Sequence, residues 1–328
     1  MSDIVVSIII PVYQVSGYVE RCLLSVARQD YPQIECIIVD DATKDDSIEK
    51  CERLIGDYHG PIRFKILHHE ENRGISAARN TGLREATGDY LLFIDGDDEI
   101  TPDCVSKLVT AARETPDAEM IIGNFRCIPR NEHNVIEIGS GLPEAMDSNE
   151  TIADYYFSRR IPVTAWNKLV KRSFVMDNGL FFKEGVVYED IHWSFFVTKY
   201  LTKIRILKDI TYFYNIRSGS IISDTADAIV GKSYYEIYNE ILQKLTKGRE
   251  RQELACYAES FCNRYLRHKA TLPEYKELYA VYRQKAKEFG CKSASLKLRF
   301  AYLLGNVPFG VKILEALKYI KKKITREA

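Results

Sequence analysis

The sequence predicts an α/β fold in which a largely parallel sheet with flanking helices, over residues 1–222, is followed by an all-helical region over residues 223–328. Three observations carry this. Continuously apolar, β-rich runs alternate with helix-spaced segments from Val5 to Phe125. Strands at that interval pair in parallel through right-handed helical crossovers. The rhythm breaks after Cys127, where Pro129, Asn131, Gly139, Gly141 and Pro143 mark a loop or small hairpin. From Asp224 onward, helix follows helix, with tyrosine and charge interleaved, which places the boundary in the interval Ser220–Asp227.

The elements follow in order. Val5–Ile10 reads as a strand buried on both faces. Tyr18–Arg28 has helical spacing at Val19, Cys22, Leu23 and Val26. Ile34–Val39 and Ile62–Leu67 are further buried strands, with a helix over Asp46–Ile55 between them. A helix rich in Ala and Arg over Ile75–Ala86 leads to a strand at Tyr90–Ile94. Pro102 suits the start of a helix reaching Val105–Ala112, and Met120–Phe125 is the next strand. Helices are expected at Thr151–Ser158 and Ile191–Leu201, and Ile204–Tyr214 as two short strands or one bent strand.

Composition bounds the function. The chain has 328 residues, 46% hydrophobic and 28% charged, enough for a large core and unlike a disordered chain. Lys plus Arg number 46 and Asp plus Glu number 46, so there is no net basic field and no nucleic-acid partner is expected. The eight cysteines form no Cys-x-x-Cys pair and read as buried free thiols in a reducing compartment. The first apolar run is stopped by Pro11 and has no basic lead, so neither a signal peptide nor a membrane span is expected there. There is no Walker A loop, no Gly-x-Gly-x-x-Gly fingerprint and no His-Glu-x-x-His helix.

Acids gather where predicted strands end. Phe93-Ile94-Asp95-Gly96-Asp97-Asp98 closes one strand with three carboxylates in four residues, and Val39-Asp40-Asp41 closes another. In open parallel sheets, ligands bind beyond the carboxyl ends of the strands. Clustered carboxylates repel unless they are protonated or share a cation, and Mg²⁺ or Mn²⁺ would leave coordination sites for phosphate oxygens. Solvated Asp-Gly turns and a helix N-cap would use the same letters. The first strand ends in Pro11-Val12-Tyr13, which brings a tyrosine to the same edge. Glu189 and Asp190 open a helix, where the dipole stabilises acids whatever their further role.

Read together, these words resemble the family 2 glycosyltransferases of the GT-A fold, of the bacterial cell-surface polysaccharide type. The matching segments are Val6-Ser-Ile-Ile-Ile-Pro-Val-Tyr13, Ile37-Ile-Val-Asp-Asp41, Asn72-Arg-Gly-Ile-Ser-Ala-Ala-Arg-Asn-Thr-Gly82 and Gly88-Asp-Tyr-Leu-Leu-Phe-Ile-Asp-Gly-Asp-Asp98. Trp166-Asn-Lys-Leu169, Tyr188-Glu-Asp190 and Tyr212-Phe-Tyr-Asn-Ile-Arg-Ser-Gly-Ser-Ile221 follow in the same order. The resemblance spans the first 220 or so residues and leaves out the C-terminal helices. It implies an inverting, metal-dependent hexosyl- or N-acetylhexosaminyl-transferase acting on a nucleotide sugar, UDP-linked, and on a saccharide or lipid-linked acceptor. Pro11, Tyr13 and Asp41 would hold the nucleobase, with Asp40 beside them. Asp95 and Asp97 would be the D-x-D pair, Asp97 ahead of Asp95 as the direct ligand of Mn²⁺ or Mg²⁺. Arg73 and Arg79 would reach the diphosphate, unless they pair within the protein. Asp190, with Glu189 as the alternate, would be the base that removes the acceptor hydroxyl proton. Trp166 or Trp193 would stack on a sugar or pack in the core, and Arg217 and Ser220 would sit in a closing lid beside the acceptor. The chain departs from the family at Gln14, Ala42-Thr43 and Asn215, where Asn, Gly-Ser and Arg are usual.

Two other functions compete. A nucleotidyltransferase would want a Gly- and Lys-rich phosphate loop after the first strand, where this chain has Pro-Val-Tyr-Gln. A non-catalytic nucleotide-sugar-binding protein would not need Asp97 and Asp190. The end of the chain suggests location. Cys291–Ala328 carries nine basic and two acidic residues, and Ile313, Leu314, Leu317, Ile320 and Ile324 form an apolar stripe among lysines. A cytoplasmic protein peripheral to the inner face of the cell membrane, and a soluble one with a lysine-rich terminal helix, both fit that pattern.

Overall fold

A computed structural model gives the structure of residues 3–128, 141–216, 226–268 and 270–305. The chain divides into two compact units, Met1–Gly185 with Glu189–Ser223, and Val186–Tyr188 with Asp224–Ala328.

The first unit is a mixed sheet with helices packed against it. β1 (Val6–Val12) is buried along its whole length. It pairs in parallel with β2 (Ile34–Asp40) on one side and β4 (Tyr90–Phe93) on the other, and β3 (Arg63–His68) extends the sheet beyond β2. Uninterrupted Val and Ile make these strands, because a strand covered on both faces has no polar side to alternate with. The crossover helices are α1 (Val19–Ala27), α2 (Ser47–Gly56) and α3 (Ile75–Glu85), and α1 buries Val19, Cys22, Leu23 and Val26. Gly82 lets α3 close on β1, since a β-carbon there would lie 2.5 Å from Ile9 Cγ2. All eight cysteines are free thiols and seven are buried.

Beyond β4 the sheet is no longer parallel. β5 (Glu99–Ile100) leads to α4 (Cys104–Glu114) and β6 (Met120–Ile128). After residue 141 come β7 (Ala145–Met146), α5 (Asn149–Phe157), β8 (Lys168–Lys171), α6 (Arg172–Asp177), α7 (Glu189–Val197) and β9 (Ile204–Asn215). The order is β3-β2-β1-β4-β8-β6-β9-β5, with β7 beside β9. β8 is antiparallel to both β4 and β6 and so reverses the direction in mid-sheet. The segment Ile204–Tyr214 lies in one strand, bent opposite the register shifts at Asn124. β5, β7, β8 and α6 have no counterpart in the sequence reading, because two to six residues are too few for a periodicity.

The second unit is built on α8 (Asp227–Gln243), α9 (Glu250–His268), α10 (Glu274–Glu288) and α11 (Lys292–Gly305). Its core is aromatic: Phe261 meets Tyr282 edge-on at 4.7 Å, and Tyr265 stacks on Tyr279 at 4.7 Å. The tyrosine hydroxyls are satisfied on helix carbonyls, Tyr275 on Gly231 at 2.7 Å, Tyr279 on Leu298 at 3.1 Å, and Tyr282 on Leu254. That is how a tyrosine core avoids the cost of a buried, unpaired O–H. Among the described residues, no helix is long and apolar enough to cross a membrane.

Gly88 turns tightly against the start of β1. Its N–H donates to Ser7 Oγ and Glu35 Oε1, and a β-carbon there would lie 2.8 Å from the Val5 carbonyl and 2.9 Å from Ser7 N. Both neighbours are backbone at the start of the central strand and have little room to move. Gly88→Ala is therefore expected to destabilise by about 1–3 kcal/mol, read as a lower urea midpoint at unchanged m-value.

Candidate functional site

The strand register collects the acids. Val12 pairs with Asp40, and Ile9 with Phe93, so β1, β2 and β4 release their chains at one edge. The Asp41 N–H donates to the Val12 carbonyl at 3.0 Å, and the Ile94 N–H to the Ile9 carbonyl at 3.1 Å. A β-carbon on Gly96 would lie 2.9 Å from the Pro11 carbonyl, so this glycine brings the acidic turn against the end of β1. The structure therefore brings together Pro11, Tyr13, Asp40, Asp41, Asp95 and Asp97.

Asp41 is buried and fully engaged. Its carboxylate accepts the backbone N–H groups of Arg73 at 2.9 Å and Gly74 at 2.7 Å, and His69 Nδ1 lies 2.7 Å away. It thus fixes the Asn72–Gly74 turn and the start of α3. Asp40 accepts the Thr43 N–H at 2.9 Å, and His68 Nδ1 lies 3.0 Å from its other oxygen. Sequence reading leaves the two histidines without a role. The missed signal is the parallel pairing of β2 with β3, which sets His68 opposite Asp40.

Arg79 connects the acid clusters. This residue, 2% exposed on α3, donates from Nη2 to Asp95 at 2.6 Å and from Nη1 to Glu189 at 2.5 Å. Its guanidinium also lies 5.2 Å from the Phe182 ring centroid. Of the two arginines the sequence offers for a diphosphate, Arg79 is thus committed within the protein. Arg73 is exposed and pairs with Glu184 at 3.1 Å.

The three acids after β4 separate by environment. Asp95 and Asp97 are half-buried, while Asp98 is wholly buried. Asp98 accepts the Tyr212 hydroxyl and the Asn215 N–H, each at 2.7 Å. Burial, then the charges of Asp95 and Asp97, push its pKa up to about 9. The same Tyr212 oxygen accepts the Asp95 N–H at 3.2 Å. Asp98 therefore ties β9 to the acidic turn. Among the described residues, no three His, Cys, Asp or Glu side chains form a metal cage. A hard divalent ion completed by substrate phosphates needs only one or two protein carboxylates, and Asp95 with Asp97 fits that oxygen donor set.

Glu189 and Asp190 also diverge. Glu189 has Arg79 as its counter-charge. The Asp190 carboxylate accepts the Ile191 N–H at 2.9 Å; burial, then Glu189, push its pKa up to about 7. Lys168 is buried with Nζ on the Thr164 carbonyl at 2.5 Å, and burial pulls its pKa down to about 7 against the opposing charge of Asp190. The tryptophans are packed. Trp166 stacks on Tyr212 at 4.6 Å and Tyr214 at 5.5 Å, and Trp193 stacks on Phe182 with Nε1 donating to the Leu180 carbonyl. Trp193 is a core residue. Arg217 and Ser220 lie outside the described residues, as does the chain after Gly305.

A family model described as glycosyl transferase family 2 matches residues 7–175. The chain is 26% identical over 250 residues to glycosyltransferase GlyG of Streptococcus pneumoniae, covering 73% of this chain and 80% of GlyG. The crystal structure of TarS 1–349 of Staphylococcus aureus in complex with UDP-GlcNAc is similar at a TM-score of 0.59 and 17% identity, covering 90% of each chain. Mannosyltransferase PcManGT of Pyrobaculum calidifontis, in complex with GDP-Man and Mn²⁺, is similar at 0.57 and 17%, covering 92% of this chain and 86% of its own. These likenesses agree with the sheet and flanking helices described above.

The Arg79 bridge sets a measurable energy. Arg79→Met would leave two partly buried carboxylates without their cation, at a cost of about 3–5 kcal/mol. Adding Asp95→Asn and Glu189→Gln to that variant is expected to restore part of the thermal midpoint. If the triple variant is no more stable than Arg79→Met alone, the arginine contributes by packing and not by charge.

Proposed function

The chain belongs to glycosyl transferase family 2, and on that premise we propose that it is an inverting, metal-dependent enzyme that moves a hexosyl or N-acetylhexosaminyl group from a UDP-sugar to a saccharide or lipid-linked acceptor in surface polysaccharide synthesis. The observation that carries the reading is the Arg79 bridge, which links the acid turn after β4 to the acid pair that opens α7. Neither a nucleotidyltransferase nor a binding module calls for a second acid, of raised pKa, beside that bridge.

Pro11 and Tyr13 border the nucleobase, and Asp40 and Asp41 shape its pocket through the Asn72–Gly74 turn. Arg73, being exposed, is the arginine that turns to the diphosphate. Asp97 and Asp95 would hold Mn²⁺ or Mg²⁺, which when bound neutralises the donor diphosphate and makes it a better leaving group. Asp190 is the base. It takes the acceptor hydroxyl proton while that oxygen attacks the anomeric carbon opposite the diphosphate. The bond from the anomeric carbon to the diphosphate oxygen breaks, UDP departs, and an α-linked donor gives a β-linked product. Glu189, neutralised by Arg79, orients the pair. Tyr214, half-buried with its hydroxyl acidity suppressed by burial and then by Asp98, Asp95 and Asp97, is the ring of the Trp166 stack offered to the acceptor.

Purified protein with UDP-sugars and Mn²⁺ is expected to release UDP, and Asp97→Ala to abolish release. Asp190→Asn is expected to lower kcat by about 10²–10⁴ with UDP affinity retained. Because the base must be ionised and its pKa is raised to about 7, kcat should rise with pH through about 7 and level off above. A chain that binds UDP without turning over any nucleotide sugar would instead be the binding module.

An exposed apolar stripe on α11 supports a contact with a membrane surface. Its exposed residues include Leu296, Phe300 and Leu303, the first 70% and the last 64% exposed. They are spaced to share one face, and Lys292, Lys297 and Arg299 flank it with no acid in the helix. An apolar stripe between cations complements an anionic bilayer. The full chain is expected to pellet with phosphatidylglycerol vesicles and not with phosphatidylcholine vesicles. Leu296→Gln with Leu303→Gln should weaken binding about tenfold or more, and unchanged binding would remove α11 from the contact.

A further inference from the structure

We propose that His69 is a positioning residue of the nucleobase pocket: it fills a third acceptor site of the Asp41 carboxylate and leaves a single site, on Oδ2, which selects a base whose ring nitrogen carries a hydrogen. This deepens the reading of Asp41 as part of the nucleobase pocket and rests on it.

An ionised carboxylate accepts about four hydrogen bonds in its plane. Among the described residues, three donors occupy that of Asp41. Oδ1 takes the Arg73 N–H at 2.9 Å and His69 Nδ1 at 2.7 Å, and Oδ2 takes the Gly74 N–H at 2.7 Å. The carboxylate can only accept, so the ring hydrogen of His69 sits on Nδ1. In the neutral ring Nε2 is then an acceptor, and the Thr81 hydroxyl, 2.9 Å away, donates to it. A directed chain of donors thus runs from Thr81 through His69 to Asp41.

Three elements of the first unit hold the ring in place. β2 pairs with β3 so that Asp40 lies opposite His68. The His69 N–H donates to the Asp40 carbonyl at 2.9 Å, which seats His69 beside Asp41. Thr81 lies on α3, the helix whose first turn Asp41 itself bonds. Asp41, His69, Thr81 and the start of α3 therefore close a ring of constraints around one carboxylate. The side chains of His69 and Asp41 are 6% and 2% exposed, so bulk water does not compete for these bonds. His68 is the contrast: its Nδ1 lies 3.0 Å from Asp40, but its side chain is 55% exposed and water competes there.

The acceptor site left on Asp41 has a fixed sign. Uracil offers it a hydrogen at ring nitrogen N3. Cytosine carries a lone pair at that nitrogen and would face the carboxylate acceptor to acceptor. A buried acceptor left without a donor is costly, so the site favours UDP over CDP. Without the His69 ring, a second site opens on Oδ1, the carboxylate loses the donor that ties it to α3, and water can bridge it to either base. His69 thus acts on the base through Asp41.

The test measures UDP and CDP binding to the full chain by calorimetry with Mn²⁺, in the parent and in His69→Leu, His69→Asn, Thr81→Val and Asp41→Asn. The two nucleotides share ribose and diphosphate, so damage to the fold or to the diphosphate contacts lowers both affinities alike and leaves their ratio unmoved. The parent is expected to prefer UDP by about tenfold to a hundredfold, the worth of one hydrogen bond to a charged group. His69→Leu removes both ring nitrogens and should cut that preference to about threefold or less. His69→Asn keeps an N–H at the place of Nδ1 and should recover most of it, and Thr81→Val removes only the outer anchor and should fall between. The inference is overturned if His69→Leu keeps the parental ratio or lowers both affinities equally. If His69→Leu binds neither nucleotide, Thr81→Val decides: a reduced ratio supports the chain of donors, and the parental ratio overturns it. Asp41→Asn separates the inference from its premise. Loss of preference in Asp41→Asn beside full preference in His69→Leu sinks His69 alone. A parental ratio in Asp41→Asn, or a parent that binds UDP and CDP alike, sinks the nucleobase role of Asp41 and His69 with it.

Discussion

One arginine makes the site affordable. Acids collected at a sheet edge repel each other and resist burial, and each half-buried carboxylate needs a donor or a counter-charge. Arg79 gives one nitrogen to Asp95 and another to Glu189, 110 residues further on, with its ring face against Phe182. A planar guanidinium reaches both acids in fixed geometry, which a lysine would not do. Asp41 bonds the turn that starts α3, so it also fixes the helix that carries Arg79. Asp41, Arg79, Asp95 and Glu189 therefore form one connected assembly, although no two of them are neighbours in sequence.

Around that assembly the backbone is held in conformations that side chains resist. Gln14, Ala42, Asn167 and Tyr188 all have positive φ, and they sit after β1, after β2, before β8 and before α7. Two of these positions are where the chain departs from its family, with Gln in place of Asn and Ala in place of Gly. Asn and Gly tolerate the left-handed region better than their replacements do. The replacements keep the turns because side chains hold them from outside. The Gln14 N–H donates to Thr43 Oγ1 at 2.8 Å, and Thr43 is itself tied to Asp40 and Asp45. Asn167 is pinned through both ends of its amide, to the Asn124 carbonyl and the Thr211 hydroxyl.

Legibility in the sequence followed length and locality. The strands β1, β2 and β4 were readable because a run of Val and Ile covered on both faces leaves an unbroken apolar word, and the acids after them marked the working edge. β8 was not readable. It has four residues, and its place between β4 and β6 is decided by partners about 50 to 80 residues upstream. The role of His69 was hidden for the same reason, since nothing near it in sequence shows that β2 and β3 bring it to Asp41. Arg79 looked like one more cation on an Ala-rich helix, because a bridge across 110 residues leaves no local trace. Val186–Tyr188 sits within the sequence of one unit and packs within the other, which no composition shift announces.

The adjacent acids Glu189 and Asp190 show what the fold adds to the sequence. They share a helix end, a dipole and nearly the same distance along the chain, so sequence assigns them only an order of preference. The structure separates them through one contact. Glu189 meets Arg79 at 2.5 Å and gains a counter-charge. Asp190 meets a buried environment and the charge of its neighbour, so its pKa rises towards neutrality. One acid of the pair is thus held in an ion pair, and the other lies where burial raises its pKa. After β4, Asp95 is paired with Arg79, while burial and then the charges of Asp95 and Asp97 push the pKa of Asp98 up to about 9. The same arginine thus pairs with one acid of each cluster.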